Sequence, residues 1–244
     1  GIRNTFVGPQ AAASGTVTGD ENTGIGFQAL YALTSGTNNV AVGQTGGAIT
    51  TGANNTCING GGSVTSGDNN SFLGKDAGTS GSPGGAVTTA SNQICVGDDS
   101  ITHAFIKVGW TEGSDERDKT DFTALDLGLD FVKALAPVTY RWDKRSKYID
   151  KTDKTTRDKD GNITHEGWDI TTDLNTITHD GTHKEDWLDI GFKAQEVEAL
   201  EIAAGYKIAD KTNLTTSLTG DGKQYGIQYS KFVPILVKAV QELS

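Results

Sequence analysis

Asn4-Thr-Phe-Val7-Gly8, Asn22-Thr-Gly-Ile25-Gly26, Asn39-Val-Ala-Val42-Gly43, Asn55-Thr-Cys-Ile58-Asn59 and Asn70-Ser-Phe-Leu73-Gly74 open five copies of one short motif. Their starts lie 18, 17, 16 and 15 residues apart, and Gln93-Ile-Cys-Val96-Gly97 is a degenerate sixth copy after an insertion around Gly81–Gly85. Thr18-Gly19, Ser35-Gly36, Thr51-Gly52 and Ser66-Gly67 punctuate the intervals. Each copy reads as a short strand, a Gly, a small connector and a Ser/Thr-Gly turn, with Gly supplying φ > 0 where the chain reverses. Asn tolerates the left-handed region and can stack or bond to backbone. Val7, Ile25, Val42, Ile58 and Leu73 predict an apolar column one residue wide per coil. So thin a column stabilises nothing in a single coil; stacking does, as in solenoids, and three chains sharing it would do better. Phe27–Leu33 is the one connector with helical spacing. The bland alternative, a Gly/Ser/Thr/Asn linker, lacks a reason for the regular period.

Outside the motif the chain changes character near residue 110. Residues 1–113 hold 23 of the 32 Gly with three cations and seven carboxylates, whereas residues 114–244 hold 18 cations and 24 carboxylates. That shift marks a repeat region over 1–100, a junction over 101–113 and a second domain over 114–244. The whole chain has 244 residues, a formal net charge of −10 and 35% apolar residues. The acidic balance argues against nucleic acid or an anionic membrane surface as partner. No apolar run of about 18 residues is present for a bilayer span. The chain opens Gly1-Ile2-Arg3 without Met, as a fragment or processed chain would. Cys57 and Cys95 read as small buried thiols, with a single bridge as the minority case.

The repeat resembles the Asn-x-x-(Val/Ile)-Gly coils of trimeric autotransporter adhesin heads and phage tail-fibre shafts, which implies a trimeric parallel β-solenoid or β-roll. Four blocks follow it. They are Ser114-Asp115-Glu-Arg117-Asp-Lys119, Leu127–Trp142, Ile190–Leu200 and Tyr229–Leu243. In this order they resemble the C-terminal intramolecular chaperone domain of phage tailspikes and fibres, the endosialidase-type auto-processing serine peptidase. A polar insertion over about 143–186 departs from the compact pattern. The resemblance implies an α+β chaperone domain, ending in a long helix, that drives homotrimer assembly and then cuts the Gly113–Ser114 bond. It further implies a place in the virion as part of a tail fibre assembled in the bacterial cytoplasm. A host-surface glycan or receptor is a possible contact, and no cofactor is implied.

The residues give that chemistry a rationale. A hydroxyl is a weak nucleophile until a base takes its proton, and Lys119, five residues on, is the nearest candidate for Ser114. Its amine must be neutral to act, which burial or a cation such as Arg117 favours. Ser114 would attack the carbonyl of Gly113, which offers little cover and tolerates strained backbone. Backbone N–H groups or Arg117 would hold the oxyanion. Asp115 has two open roles, orienting Lys119 or bonding backbone amides. The competing reading of Ser114-Asp115-Glu116 is an ordinary helix N-cap. The rival function is an adhesin segment with an inert trimerisation cap.

Weaker signals are these. Phe232, Ile235, Leu236, Ala239, Val240 and Leu243 predict a helix, with Ser230 as N-cap and an apolar stripe widened by Val233 and Val237 toward partner helices. Leu125–Leu135 and Gln195–Leu200 read as short helices, Val138–Trp142 and Trp187–Phe192 as strands, and Thr219–Lys223 as a hairpin turn. Asp158–Asn162 fits a turn better than a calcium loop, because its Gly stands fourth and no Glu stands twelfth. His165, His179 and His183 match no metal spacing and read as solvated. Asp20, Glu21, Asp68, Asp76, Asp98, Asp99 and Glu112 stand mostly in turns without an aromatic platform, so no glycosidase pair is expected.

Overall fold

The computed structural model describes residues 1–149, 159, 173–220 and 222–244, together with the backbone of four strands inside 151–170. In chain order the elements are β1 (Thr5–Val7), β2 (Thr23–Ile25), β3 (Val40–Val42), β4 (Thr56–Ile58), β5 (Ser71–Leu73), β6 (Ile94–Val96), α1 (Leu129–Ala134), β7 (Val138–Tyr140), β8 (Lys151–Asp153), β9 (Thr156–Arg157), β10 (Ile163–His165), β11 (Trp168–Ile170), β12 (Asp189–Gly191), α2 (Ala194–Ala203), β13 (Thr216–Leu218), β14 (Tyr225–Ile227) and α3 (Phe232–Glu242). The Asp158–Asn162 turn, the His165 side chain and Asp221 of the expected hairpin lie outside the described residues. Among the described residues no helix is long and apolar enough to cross a membrane.

The chain divides into two compact units. One holds residues 1–100, 141–188 and 220–224; the other holds 101–140, 189–219 and 225–244.

In the first unit β1 to β6 stack in parallel and in register as a β-solenoid, Thr5 facing Thr23, Val40 facing Thr56 and so on to Ser71 facing Ile94. Each strand is three residues long, so only its middle residue points into the coil. The core is therefore built from Ala41, Cys57, Phe72 and Cys95, with Phe6 packed against it, and from connector residues Ala29, Leu30, Leu33, Ile49, Val64, Ala77 and Val87. Val7, Ile25, Val42, Ile58 and Leu73 do form a column, but on the outer face of the sheet, each 39–56% exposed. Phe27–Leu33 is not a helix. Gln28 and Leu30 take positive φ, which breaks the helical path and turns Leu30 and Leu33 into the core.

Buried Asn residues stitch the coils together. Asn39 Nδ2 donates to Asn22 Oδ1 (3.0 Å) and to the carbonyl of Gly52 (2.8 Å). Asn39 Oδ1 accepts from the backbone N–H and the Nδ2 of Asn55, both at 3.1 Å. The pattern runs from Asn4 to Asn70 and ends on the backbone N–H of Gln93. The left-handed position falls one residue earlier, on Glu21, Asn38, Asn54, Asn69 and Asn92. The two kinds of Gly have separate reasons. Gly26, after its strand, sits at φ +132°, whereas Gly36 lies where a Cβ would come within 2.3 Å of the carbonyl oxygen of Gly52 in the next coil. The Ser/Thr-Gly turn thus selects Gly for coil spacing and not for positive φ.

In the second unit α1 and α3 pack together, and α2 lies on the antiparallel β13–β14 pair. Leu127, Phe131, Val197, Phe232 and Ile235 form the core. β7 and β12 pair antiparallel, Val138 with Gly191 and Tyr140 with Asp189. The expected strands there are each trimmed to three residues. α1 begins at Leu129 and not at Leu125, and α2 extends to Ala203. Ser230 does not cap α3; it lies in a 3-10 turn, Tyr229–Lys231, that leads into the helix. Glu201 of α2 is buried and its carboxylate accepts from the backbone N–H of Thr215 (2.5 Å) and the hydroxyls of Thr215 (2.8 Å) and Thr216. Three donors satisfy the oxygens of this buried side chain.

Candidate active site

Ser114 to Lys119 form one short turn. Asp115 has extended backbone and caps the 3-10 turn Glu116–Asp118, its Oδ1 accepting from the N–H of Arg117 at 2.9 Å. The cap is thus Asp115 and not Ser114, which leaves the Ser114 hydroxyl to another partner. Because the turn is closed at Lys119, the Lys119 side chain comes back over Ser114. Its Nζ donates to Ser114 Oγ at 2.5 Å and to the Ser114 carbonyl at 3.2 Å.

Of the two roles open to Asp115, the structure has the bond to backbone. Asp115 also holds Arg117 by a forked pair, Nη2 to Oδ2 at 2.6 Å and Nε to Oδ1 at 3.0 Å. The guanidinium keeps the Asp115 carboxyl below the usual carboxylate range, with help from the Arg117 N–H, and is itself pushed up by that carboxylate. The pair fixes the turn.

Gly113 stands in open space, with nothing within 4 Å of where a Cβ would be. Its φ is outside the left-handed region, so the expected backbone strain is not found and accessibility is what this Gly supplies. Glu112, just before it, reaches Ser230 at the start of α3, Oγ to Oε1 at 3.4 Å. Gly113, Ser114, Asp115, Arg117 and Lys119 are all exposed in the single chain. The contact of Glu112 with Ser230 was not legible in the sequence, since the two are 118 residues apart.

Elsewhere, His183 meets the ring of Tyr148 edge-on at 4.7 Å, with His179 at 6.5 Å. Among the described residues no three His, Cys, Asp or Glu gather as a metal site requires. Cys57 and Cys95 are free and buried. A groove lined by Leu135, Phe192, Lys193, Glu196, Val197 and Leu200 lies apart from Ser114 in sequence.

Residues 114–206 match the family model described as chaperone of endosialidase, a family of trimerisation chaperones that is by name also a peptidase family. The part of the chain from Ser114 to Tyr206, which follows the β-solenoid, is thus similar to that family, and the match begins at Ser114 itself. No curated protein and no solved structure matches the chain.

Proposed function

We propose that this chain is a segment of a bacteriophage tail fibre or tailspike. Its part from Ser114 onward holds three chains in register while the solenoid folds, then cuts the Gly113–Ser114 bond. The observation that carries this reading is the 2.5 Å approach of Lys119 Nζ to Ser114 Oγ at the first residue of the family match.

The steps follow from the geometry. Lys119, as the neutral amine, takes the Ser114 hydroxyl proton while Oγ bonds to the carbonyl carbon of Gly113. The Gly113–Ser114 C–N bond breaks and the α-nitrogen of Ser114 gains the proton, which leaves an ester between Gly113 and Ser114 Oγ. Water then opens the ester, giving the Gly113 carboxylate and a free Ser114 hydroxyl. The site is exposed in the single chain. Exclusion of water on assembly strengthens every polar contact in it and links cutting to trimer formation. Two exposed apolar surfaces support a homotrimer: the solenoid column from Val7 to Leu73, and Val233, Leu236, Val240 and Leu243 along α3. The mature particle belongs in the virion, where the shaft stands toward the host surface.

Mass spectrometry of freshly assembled protein tests the reading. Pieces 1–113 and 114–244 are expected, with Ser114→Ala and Lys119→Ala remaining whole and Ser114→Cys recovering part of the cutting. A wild-type chain that assembles and stays whole turns the reading to the inert cap.

A further inference from the structure

In an acidic chain, Lys144-Arg145-Ser146-Lys147 is a local basic run, and Asp98-Asp99 closes the last solenoid coil with two carboxylates. The fold brings the two together inside one compact unit. Asp99 Oδ1 accepts from Lys147 Nζ at 3.0 Å, its Oδ2 accepts from the Ser146 hydroxyl, and its carbonyl accepts from Lys144 Nζ. Lys147 Nζ also donates to Ser100 Oγ at 3.1 Å, and Lys144 is held in turn by Glu185 at 3.2 Å. The Asp99 side chain is only 12% exposed, so water screens these bonds less than it screens an ordinary surface pair.

Arg145 faces the other way and ties the basic run to two further segments. Its Nη1 donates to the carbonyl of Leu174 at 3.0 Å and its Nη2 to the carbonyl of Lys223 at 2.5 Å. Gly220, next to that turn, lies near the solenoid, where a Cβ on it would come within 3.5 Å of the Ala90 Cβ. Three stretches that follow Ser114 in sequence, 144–148, 174–185 and 220–224, thus belong to the same compact unit as the coils that precede it.

We infer that Lys144–Lys147 forms an ionic clasp on Asp99, and that this clasp keeps the 114–244 piece bound to the last solenoid coil after the chain between them is cut. The clasp deepens the self-cutting reading and rests on it for its biological use. It assigns the inserted stretch a role: retention of the spent chaperone, released by salt or competing charge, as a cap on the solenoid edge beyond β6.

The test is arranged so that it stands even where Ser114 proves inert. A Ser114→Ala chain carries a recognition site for a specific protease within the exposed 101–113 stretch, and is cut after assembly. Gel filtration then follows the two pieces from low to 1 M salt. They are expected to travel together at low salt and to separate at high salt. Asp99→Asn or Lys147→Gln weakens retention about tenfold, the effect of removing one partner of a partly buried charged hydrogen bond. The paired reversal Asp99→Lys with Lys147→Asp restores it. Separation of the parent pieces at low salt overturns the inference, as does retention in Asp99→Asn and Lys147→Gln equal to that of the parent.

Discussion

Asn39 shows how much one buried amide does in this fold. Its Nδ2 and Oδ1 together serve four bonds across three coils. Asn39→Ala leaves the Gly52 carbonyl and the Asn55 N–H buried without those partners, a cost of about 2–6 kcal/mol given ~1–3 for each buried group left unsatisfied. Urea unfolding of the solenoid checks this, and a loss under ~0.5 kcal/mol would show that water replaces the amide. Cys57 makes a different, pH-dependent contribution. Burial pushes its thiol up to about 12. Above its ordinary value near 9 the unfolded chain loses this proton while the folded chain keeps it. The folded state then holds more protons, so stability falls as pH rises from about 9 to 12, by up to ~1.4 kcal/mol per pH unit. Cys57→Ala is expected to flatten that fall relative to wild type in unfolding measured across the alkaline range. A parallel pair of curves refutes the assignment.

Helix α1 is six residues long and has no capping side chain of its own, because Gly128 stands at its N-cap. Glu242, at the far end of α3, supplies the cap: its Oε2 accepts from the Leu129 N–H at 2.6 Å. A Cβ on Gly128 would lie 2.2 Å from that carboxylate, so the Glu242 side chain would have to shift to admit one. The Leu129 N–H, then Lys238, hold the Glu242 carboxyl below its usual range. The cap is present above the ordinary Glu value and is lost as pH falls through the lowered one. Amide exchange at Leu129 is expected to speed up at acid pH, and to be fast at every pH in Glu242→Ala; slow exchange in that variant would refute the cap. This bond also shows what the sequence hides. The solenoid was legible because its period is local, and the Ser114–Lys119 pair because five residues of chain bring it together. Which residue of a three-residue strand points inward was not legible. Each copy has adjacent apolar residues, and nothing within one copy marks which of them takes the single inward position; Ala41, Cys57, Phe72 and Cys95 take it, and the Val, Ile and Leu beside them take the outer face. The start of α1 was missed for a related reason, since its cap comes from 113 residues away.

At the scale of the molecule, α3 is apolar on two faces. Phe232, Ile235 and Ala239 are buried in their own unit, while Val233, Leu236, Val240 and Leu243 are 47–69% exposed at spacings of 3, 4 and 3. That second stripe has the heptad period of a helix that packs on copies of itself. In the proposed trimer it recurs around a single axis, so one substitution acts three times. Val240→Glu puts a carboxylate at each seam position, where desolvation costs far more than the ~1.5–3 kcal/mol that burial of an apolar side chain contributes. Because Val240 faces away from the core of its own unit, the variant is expected to keep its helix content by circular dichroism. Light scattering at micromolar concentration is expected to give the mass of one chain for Val240→Glu and of three for the parent. Loss of cutting at Gly113–Ser114 in the same sample would then tie the site to assembly, because the substitution lies 126 residues from Ser114 in sequence and touches none of its partners. A trimer that survives Val240→Glu moves the contact to the solenoid face, where Ile58→Asp becomes the deciding variant. A monomeric parent removes the trimer from the account altogether.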